Sequence, residues 1–137
     1  MEFIQFLQGE LLLTGTLFAL IILLIVNIYS EKYRKYQVVD TNGAVSLMDD
    51  DKLTILDVRE EKERTVGFIT NDLNIPMGQI KKKINSLDKS KNILVYCKNG
   101  TRSDRIADSL SKSDFQKVYS LKGGFSAWLK AELPIQK

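Results

Sequence analysis

The sequence predicts an α/β protein in which one N-terminal transmembrane helix precedes a parallel five-stranded sheet flanked by helices. Three observations lead to this fold class. Residues 11–29 contain no charged side chain. From residue 37 onward, short apolar runs alternate with helical stretches, a pattern typical of a parallel sheet covered on both faces. The apolar run at residues 93–96 leads through Cys97 into an amphipathic helix, as buried strands of such sheets do.

The uncharged segment at residues 11–29 has the length of a membrane span. As a helix rising about 1.5 Å per residue it covers roughly 28 Å, close to a hydrocarbon thickness of about 30 Å. A buried core helix of this length normally has a polar face. A cleaved signal peptide normally has a basic start, whereas Glu2 and Glu10 stand here. We therefore expect a membrane anchor at residues 1–30, a short basic linker at 31–36 and a folded domain at 37–137.

The residues that flank the anchor predict its orientation. Lys32, Arg34 and Lys35 follow the apolar segment, and no Lys or Arg precedes it. By the positive-inside rule, the N-terminus faces outward and the folded domain lies in the cytoplasm. Within the span, the small residues Thr14-Gly15-Thr16 would let a helix of another membrane protein pack closely.

Composition excludes several classes of function. All 20 basic residues follow the apolar segment, as do all but two of the 17 acidic ones, so the folded domain is net basic and suits an anionic substrate or lipid surface. Basic and aromatic residues are not interleaved, which argues against nucleic-acid binding. The absence of histidine excludes Cys-His pairs and histidine metal sites. A single cysteine excludes an internal disulfide, and we expect neither a metal nor another cofactor.

The order of the elements places the functional loops. Parallel sheets carry their sites beyond the C-terminal ends of the strands, where Asp57, Arg59 and Cys97 fall. The predicted strands cover residues 37–39, 54–58, 73–75, 93–96 and 117–120. The predicted helices cover residues 43–48, 60–66, 78–87, 103–111 and 125–131.

Cys97 stands where a strand turns into a helix, and this position has a chemical use. A glycine in the turn lets several backbone N–H groups point at one atom, and the helix N-terminus adds partial positive charge. We expect a thiol held there to be a nucleophilic thiolate without any histidine base. The alternative is a small buried residue that ends a strand, as many free cysteines do. The predicted binding loop comprises Lys98, Asn99, Gly100, Thr101, Arg102 and Ser103.

Three ordered motifs resemble those of the single-domain rhodanese family. Residues 96–103, which read YCKNGTRS, resemble the active-site loop. Residues 55–76 resemble the first signature, with ILDVRE and then NIP. Residues 121–135 resemble the last signature, with LKGGF and then LPI. The resemblance covers residues 37–135 and implies a rhodanese-like fold of membrane-anchored bacterial type.

Four residues depart from the family pattern, and all lie outside the Cys97 loop. Phe68 stands where the family usually has a histidine, Asn71 and Asp72 replace a Gly-Ala pair, and Arg64 replaces an aromatic residue. Asparagine tolerates a left-handed backbone better than most residues. We therefore expect the turn at Asn71 to survive the replacement.

The resemblance implies a two-step sulfur transfer. The Cys97 thiolate takes the outer sulfur of a small anionic donor such as thiosulfate and becomes a persulfide. A thiol, cyanide or protein acceptor then removes that sulfur. Lys98 and Arg102 would attract and orient the donor. With no second cysteine the persulfide has to pass to another molecule, which favours a sulfur carrier. The anchor would place that transfer at the bacterial inner (cytoplasmic) membrane.

Asp57 and Arg59 have a supporting role in this interpretation. They would brace the end of the neighbouring strand, with Arg59 pairing with Glu63, and neither would contact the donor. Trp128 is expected to be a core residue.

Two other functions compete with sulfur transfer. A cysteine phosphatase needs five residues between its cysteine and arginine to cradle a tetrahedral oxyanion, whereas only residues 98–101 separate Cys97 from Arg102. A non-catalytic, membrane-tethered module that binds other membrane proteins is the second alternative. Modules of that kind typically lose the cysteine that this chain keeps.

Overall fold

The computed structural model describes residues 1–137, and the contacts between them divide the chain into two compact units, Met1–Arg34 and Lys35–Lys137. The first unit consists almost entirely of one helix, α1 (Glu2–Lys32), which has no buried residue. Its length and apolar composition suit a helix that crosses a membrane, and an N-terminal signal sequence shares these properties.

Two threonines inside α1 are bonded within the helix itself. The hydroxyl of Thr14 donates to the carbonyl of Glu10 at 2.7 Å, and that of Thr16 donates to the carbonyl of Leu13 at 2.8 Å. Hydrocarbon offers no hydrogen-bond partners, so a spanning segment has to satisfy its polar groups internally. The polar break in this apolar segment is therefore compatible with a membrane environment.

The second unit is built on a five-stranded sheet, and all of its strands are parallel. This confirms the predicted fold class. The strand order is β1-β5-β4-β2-β3. In the register of β2 with β4, Asp57 lies beside Tyr96, so the residues that follow these two strands emerge at the same edge. The strands are β1 (Gln37–Val39), β2 (Leu53–Asp57), β3 (Leu73–Asn74), β4 (Asn92–Tyr96) and β5 (Val118–Leu121).

Helices cover both faces of the sheet. The α-helices of this unit are α2 (Thr41–Leu47), α3 (Ile80–Lys83), α4 (Thr101–Ser111) and α5 (Gly124–Lys130). Three 3₁₀ helices accompany them, at Glu61–Val66, Met77–Gln79 and Ile84–Ser86.

The prediction of one continuous helix at residues 78–87 is wrong. The segment is a 3₁₀ helix, one α-helical turn and a second 3₁₀ helix in succession. Ile80 and Leu87 are buried and Ile84 packs against the same core, so the apolar spacing that suggested a helix is real. No side chain caps α3 at its N-terminus, and a helical run this short is not stable without caps or packing on both sides.

The two faces of the sheet bury separate apolar clusters, and β4 contributes to both by alternation. Ile93, Val95 and Cys97 point into the cluster that includes α4. Leu94 and Tyr96 point into the cluster that includes α5 and Trp128. The side chain of Cys97 therefore lies on the α4 side of the sheet, at the end of a strand that is buried on both faces.

Candidate active site at the Cys97 loop

The sulfur of Cys97 is cradled by the loop that follows β4. Its side chain is fully buried, and Sγ accepts hydrogen bonds from the backbone N–H groups of Gly100 at 3.1 Å and Ser103 at 3.3 Å. Gly100 has a φ of 101°, a left-handed conformation that lets the chain curl back over the sulfur. The sulfur also lies at the N-terminus of α4, where the helix dipole contributes partial positive charge.

The C-terminal signature holds this loop in place. The backbone N–H of Phe125 donates to the carbonyl of Cys97 at 2.7 Å, and that of Ser126 donates to the carbonyl of Lys98 at 2.9 Å. Gly124 packs directly against these peptides, because a Cβ there would lie 2.7 Å from the carbonyl carbon and oxygen of Lys98. The sequence motif LKGGF thus acts through backbone contacts with the loop.

Arg102 is paired with an acidic residue on a different element. Its guanidinium donates to both carboxylate oxygens of Glu63, at 2.8 and 2.7 Å. The hydrogen bond from Arg102 is the main cause that lowers the pKa of Glu63 to about 2, and the same contact raises the pKa of Arg102. The predicted pairing of Arg59 with Glu63 is therefore wrong, since Arg59 reaches only the backbone carbonyl of Glu63, at 3.4 Å.

Asp57 and Arg59 form a buried ion pair at the end of β2. The guanidinium of Arg59 donates to both carboxylate oxygens of Asp57 at 2.9–3.1 Å and to the carbonyl of Gly67 at 2.9 Å. It also stacks over the ring of Phe125, 4.3 Å from the ring centroid. These contacts are those that a bracing role requires, and neither side chain touches the sulfur.

The residues that depart from the family pattern contact one another. Arg64 donates to Asp57 and Asp72, each at 2.6 Å, and lies 4.1 Å over the ring of Phe68. The hydroxyl of Tyr96 donates to Asp72 and accepts from the N–H of Ile69. Burial and the neighbouring carboxylates raise the pKa of Tyr96. The carboxylate at position 72 thus satisfies both the arginine and the tyrosine.

The turn at Asn71 has the conformation expected of it. Asn71 adopts a φ of 62°. The left-handed turn therefore survives the replacement of glycine, as the sequence predicted.

Two residues near the sulfur, Ser120 and Asp104, were not identified from the sequence, whereas Ser103 belongs to the predicted binding loop. The hydroxyl of Ser103 lies 3.6 Å from Sγ, and the hydroxyl oxygen of Ser120, at the end of β5, lies 3.0 Å from that of Ser103. Ser120 donates its one proton to the carboxylate of Asp104 at 2.6 Å. Ser103 and Ser120 are fully buried. The available signal was a serine inside the otherwise apolar run at the end of β5.

A pocket of about 240 Å³ opens beside the loop. Lys62 and Lys98 give it basic groups, and Val66 and Leu129 are apolar side chains that remain 61% and 43% exposed. The other residues that line it are Arg59, Glu63, Thr65, Phe125 and Ser126.

Comparison with known proteins agrees with this fold. A family model described as a rhodanese-like domain matches residues 41–131. The chain belongs to the rhodanese-like family. The thiosulfate sulfurtransferase GlpE of Coxiella burnetii is 38% identical over 82 residues, which are 60% of this chain and 76% of that protein. The putative sulfur carrier protein YrkF of Bacillus subtilis is 35% identical over 79 residues, or 58% of this chain and 43% of that protein.

A solved structure shows the same architecture. The crystal structure of a rhodanese-related protein from Thermoplasma volcanium matches with a TM-score of 0.69 and 28% identity, covering 74% of this chain and 98% of that one. The relative named as a sulfurtransferase and the relative named as a putative sulfur carrier support a rhodanese-type activity in general. This rhodanese-like chain spans less than half of the length of YrkF.

Proposed function

We propose that this rhodanese-like chain is a membrane-anchored sulfurtransferase or sulfur carrier that forms a persulfide on Cys97 and passes the outer sulfur on. The observation that carries the proposal is the pair of N–H groups, from Gly100 and Ser103, aimed at a buried sulfur. Fixed backbone donors stabilise negative charge without reorganising during the reaction. They suit a thiolate that attacks and a leaving thiolate that forms when the sulfur departs.

Both steps are displacements at sulfur. In the first, the Cys97 thiolate attacks the outer sulfur of thiosulfate, a sulfur–sulfur bond forms, and sulfite leaves with the electron pair of the broken bond. In the second, an acceptor thiolate attacks the outer sulfur of the persulfide, and the Cys97 thiolate is regenerated. Because Cys97 is the one cysteine of the chain, the acceptor belongs to another molecule.

The surroundings of the loop favour Lys98 as the side chain that attracts the donor. Lys98 is exposed at the rim of the pocket, whereas Arg102 has its charge offset by Glu63. The exposed side chains of Val66 and Leu129 beside the pocket favour a protein as the acceptor, since apolar groups at a rim suit a protein surface better than a small anion.

The remaining parts of the proposal concern the membrane. Residues 1–30 anchor the chain, 31–36 link the anchor to the domain, and 37–137 form the domain. The uncharged helix and the basic residues Lys32, Arg34 and Lys35 after it support a single-pass protein of a bacterial inner membrane, with the domain in the cytoplasm. Thr14-Gly15-Thr16 supports a further helix of a membrane protein as a partner.

The test is the mass of the full chain after thiosulfate treatment. Membrane vesicles are treated from outside, and the intact protein should gain one sulfur atom in inside-out vesicles and none in right-side-out vesicles, because a dianion crosses hydrocarbon poorly. The matched control is Cys97→Ser, which should gain nothing. Cyanide should then remove the added sulfur.

The competing function is a non-catalytic module that binds membrane proteins. If a folded chain gains no sulfur in vesicles of either orientation, the interaction module replaces sulfur transfer as the preferred function. Gain of sulfur only in right-side-out vesicles would contradict the proposed orientation and leave the chemistry intact.

A further inference from the structure

A chain of three hydrogen-bonding contacts connects the sulfur of Cys97 to a carboxylate. Ser103 lies next to Sγ, Ser120 lies next to Ser103, and Asp104 lies next to Ser120, at 3.6, 3.0 and 2.6 Å respectively. The two serines are fully buried, and Asp104 is half-buried. Three separate parts of the fold meet here: the end of β4, the first turn of α4 and the end of β5.

The hydroxyl groups in this series of hydrogen bonds donate in a preferred direction. Each hydroxyl has one proton, and the contact from Ser120 to the Asp104 carboxylate is the shortest and is charge-assisted, so it takes the Ser120 proton. The oxygen of Ser120 then acts as an acceptor. The proton of Ser103 has two oxygen acceptors within reach, the carbonyl of Gly100 and the oxygen of Ser120, each at 3.0 Å.

This arrangement presents a lone pair of Ser103 to the sulfur. A lone pair accepts a hydrogen bond from a thiol, whereas a thiolate needs the hydroxyl of Ser103 to turn and donate to it. When the Ser103 hydroxyl turns to the sulfur, it stops donating to the carbonyl of Gly100 or to the oxygen of Ser120. Ser120 cannot replace it as a donor while its own proton is bound to Asp104, so one buried acceptor loses its hydrogen bond. An unmade buried hydrogen bond is unfavourable.

We propose that Asp104, acting through Ser120, orients the Ser103 hydroxyl and thereby makes Cys97 harder to ionise. Asp104 and Ser120 are positioning residues, and neither touches the sulfur. Ionisation breaks the S–H bond, leaves the electron pair on sulfur and releases the proton to bulk water. The two backbone N–H donors favour the thiolate, and the series of hydroxyl groups opposes it. This inference rests on the proposed function only in taking the thiolate as the attacking form.

Other charged groups also face the loop. Asp57 and Arg59 come from the end of β2, Glu63 from the 3₁₀ helix Glu61–Val66, and Arg102 from α4, while Lys98 belongs to the loop. Asp57, Arg59, Glu63 and Arg102 are engaged in ion pairs. Asp104 differs from all of them because it reaches the sulfur through hydroxyl groups.

The experiment measures how fast iodoacetamide alkylates Cys97 as a function of pH, in the full chain in detergent. Ser120→Ala and Asp104→Asn should each move the midpoint of this profile to lower pH by about half to one unit, which is roughly a three- to tenfold faster reaction below the midpoint. The fluorescence of Trp128, the one tryptophan, checks that each variant is folded. Asp108→Asn removes the same charge from the same helix without touching the chain of hydroxyls and should leave the midpoint in place.

A double variant separates the hydroxyl chain from a through-space effect of charge. In the Ser120→Ala background, Asp104→Asn should cause no further shift, because the connection is already broken. Additive shifts would overturn the proposal in favour of direct Coulomb interaction, and unchanged midpoints in both single variants would overturn it outright.

A second comparison serves if Ser120→Ala does not fold. Asp104→Asn keeps an oxygen acceptor for Ser120, whereas Asp104→Ala removes it. If Asp104 acts through the hydroxyl groups, the alkylation midpoint should shift further in Asp104→Ala than in Asp104→Asn. If it acts by direct Coulomb interaction, the two variants should show equal shifts. Alkylation needs neither sulfur donor nor acceptor. Absence of persulfide with the expected shifts would refute the proposed function alone, and persulfide without the shifts would refute this inference alone.

Discussion

Two polar regions lie side by side at the C-terminal edge of the sheet, and they are built on opposite principles. Behind the loop, Asp57, Arg59, Arg64 and Asp72 pair with one another in a closed network with two charges of each sign. At the loop, two N–H groups and a helix N-terminus surround Cys97, and no anionic side chain contacts the sulfur. The charges of the closed network offset one another, whereas the N–H groups around Cys97 are placed to stabilise negative charge. The proposed function accordingly assigns the chemistry to the second region and a stabilising role to the first.

The largest expected effect comes from opening the closed network. Asp57→Ala leaves Arg59 buried without its carboxylate, so we expect the free energy of unfolding to fall by about 3–5 kcal/mol. Urea unfolding followed by Trp128 fluorescence measures it. The exposed pair of Asp108 and Lys112 is the control, and Asp108→Ala should cost less than about 0.5 kcal/mol. Similar losses in the two variants would contradict the structural importance of the network.

An intermediate effect is expected at Gly124, which packs against the backbone of the Cys97 loop. Gly124→Ala places a Cβ against the peptide of Lys98 and strains a backbone with φ of 58°, so the loop has to move. We expect persulfide formation to slow by about tenfold or more and unfolding free energy to fall by about 1–3 kcal/mol. Gly78→Ala, with open space around it, is the control for both measurements. Persulfide formation at the normal rate in Gly124→Ala would show that the cradle needs no exact backbone support.

The smallest effect concerns the ion pair between Arg102 of the loop and Glu63. Glu63→Gln leaves the charge of Arg102 uncompensated beside the loop, so the KM for thiosulfate should fall by about threefold, an effect within the range of partly exposed ion pairs. High salt should reduce the difference. An unchanged KM at low salt would show that Arg102 does not attract the donor even when its charge is free.

The same variant has a pH signature in stability. The pKa of Glu63 is lowered from 4.5 to about 2 in the folded chain, so its stabilising contribution is present above pH 4.5 and is lost as the pH falls through 2. The stability advantage of the natural chain over Glu63→Gln should therefore shrink between pH 4.5 and 2. A constant difference over that window would contradict the assignment of the shift to this ion pair.

The fold was accessible from the sequence because it depends on local patterns. Apolar runs of strand length, separated by helical stretches, predict the parallel sheet. The order of strand, glycine turn and amphipathic helix predicts that Cys97 lies at the end of a strand. The turn at Asn71 follows from one residue's tolerance of a left-handed backbone. In contrast, the break at residues 78–87 depends on helix capping and packing, which apolar periodicity does not report.

The partners of the charged and hydroxyl groups were decided by the tertiary structure. Glu63 pairs with Arg102, 39 residues away, and not with the nearer Arg59, because Asp57 already occupies the guanidinium of Arg59. Ser120 reaches Asp104 only because β5 lies next to β4 and α4 packs over both. The sequence by itself determined the sheet, the position of Cys97 and the uncharged N-terminal segment. Folding determined what surrounds the sulfur, since contacts between distant residues depend on strand order and helix packing that no local pattern encodes.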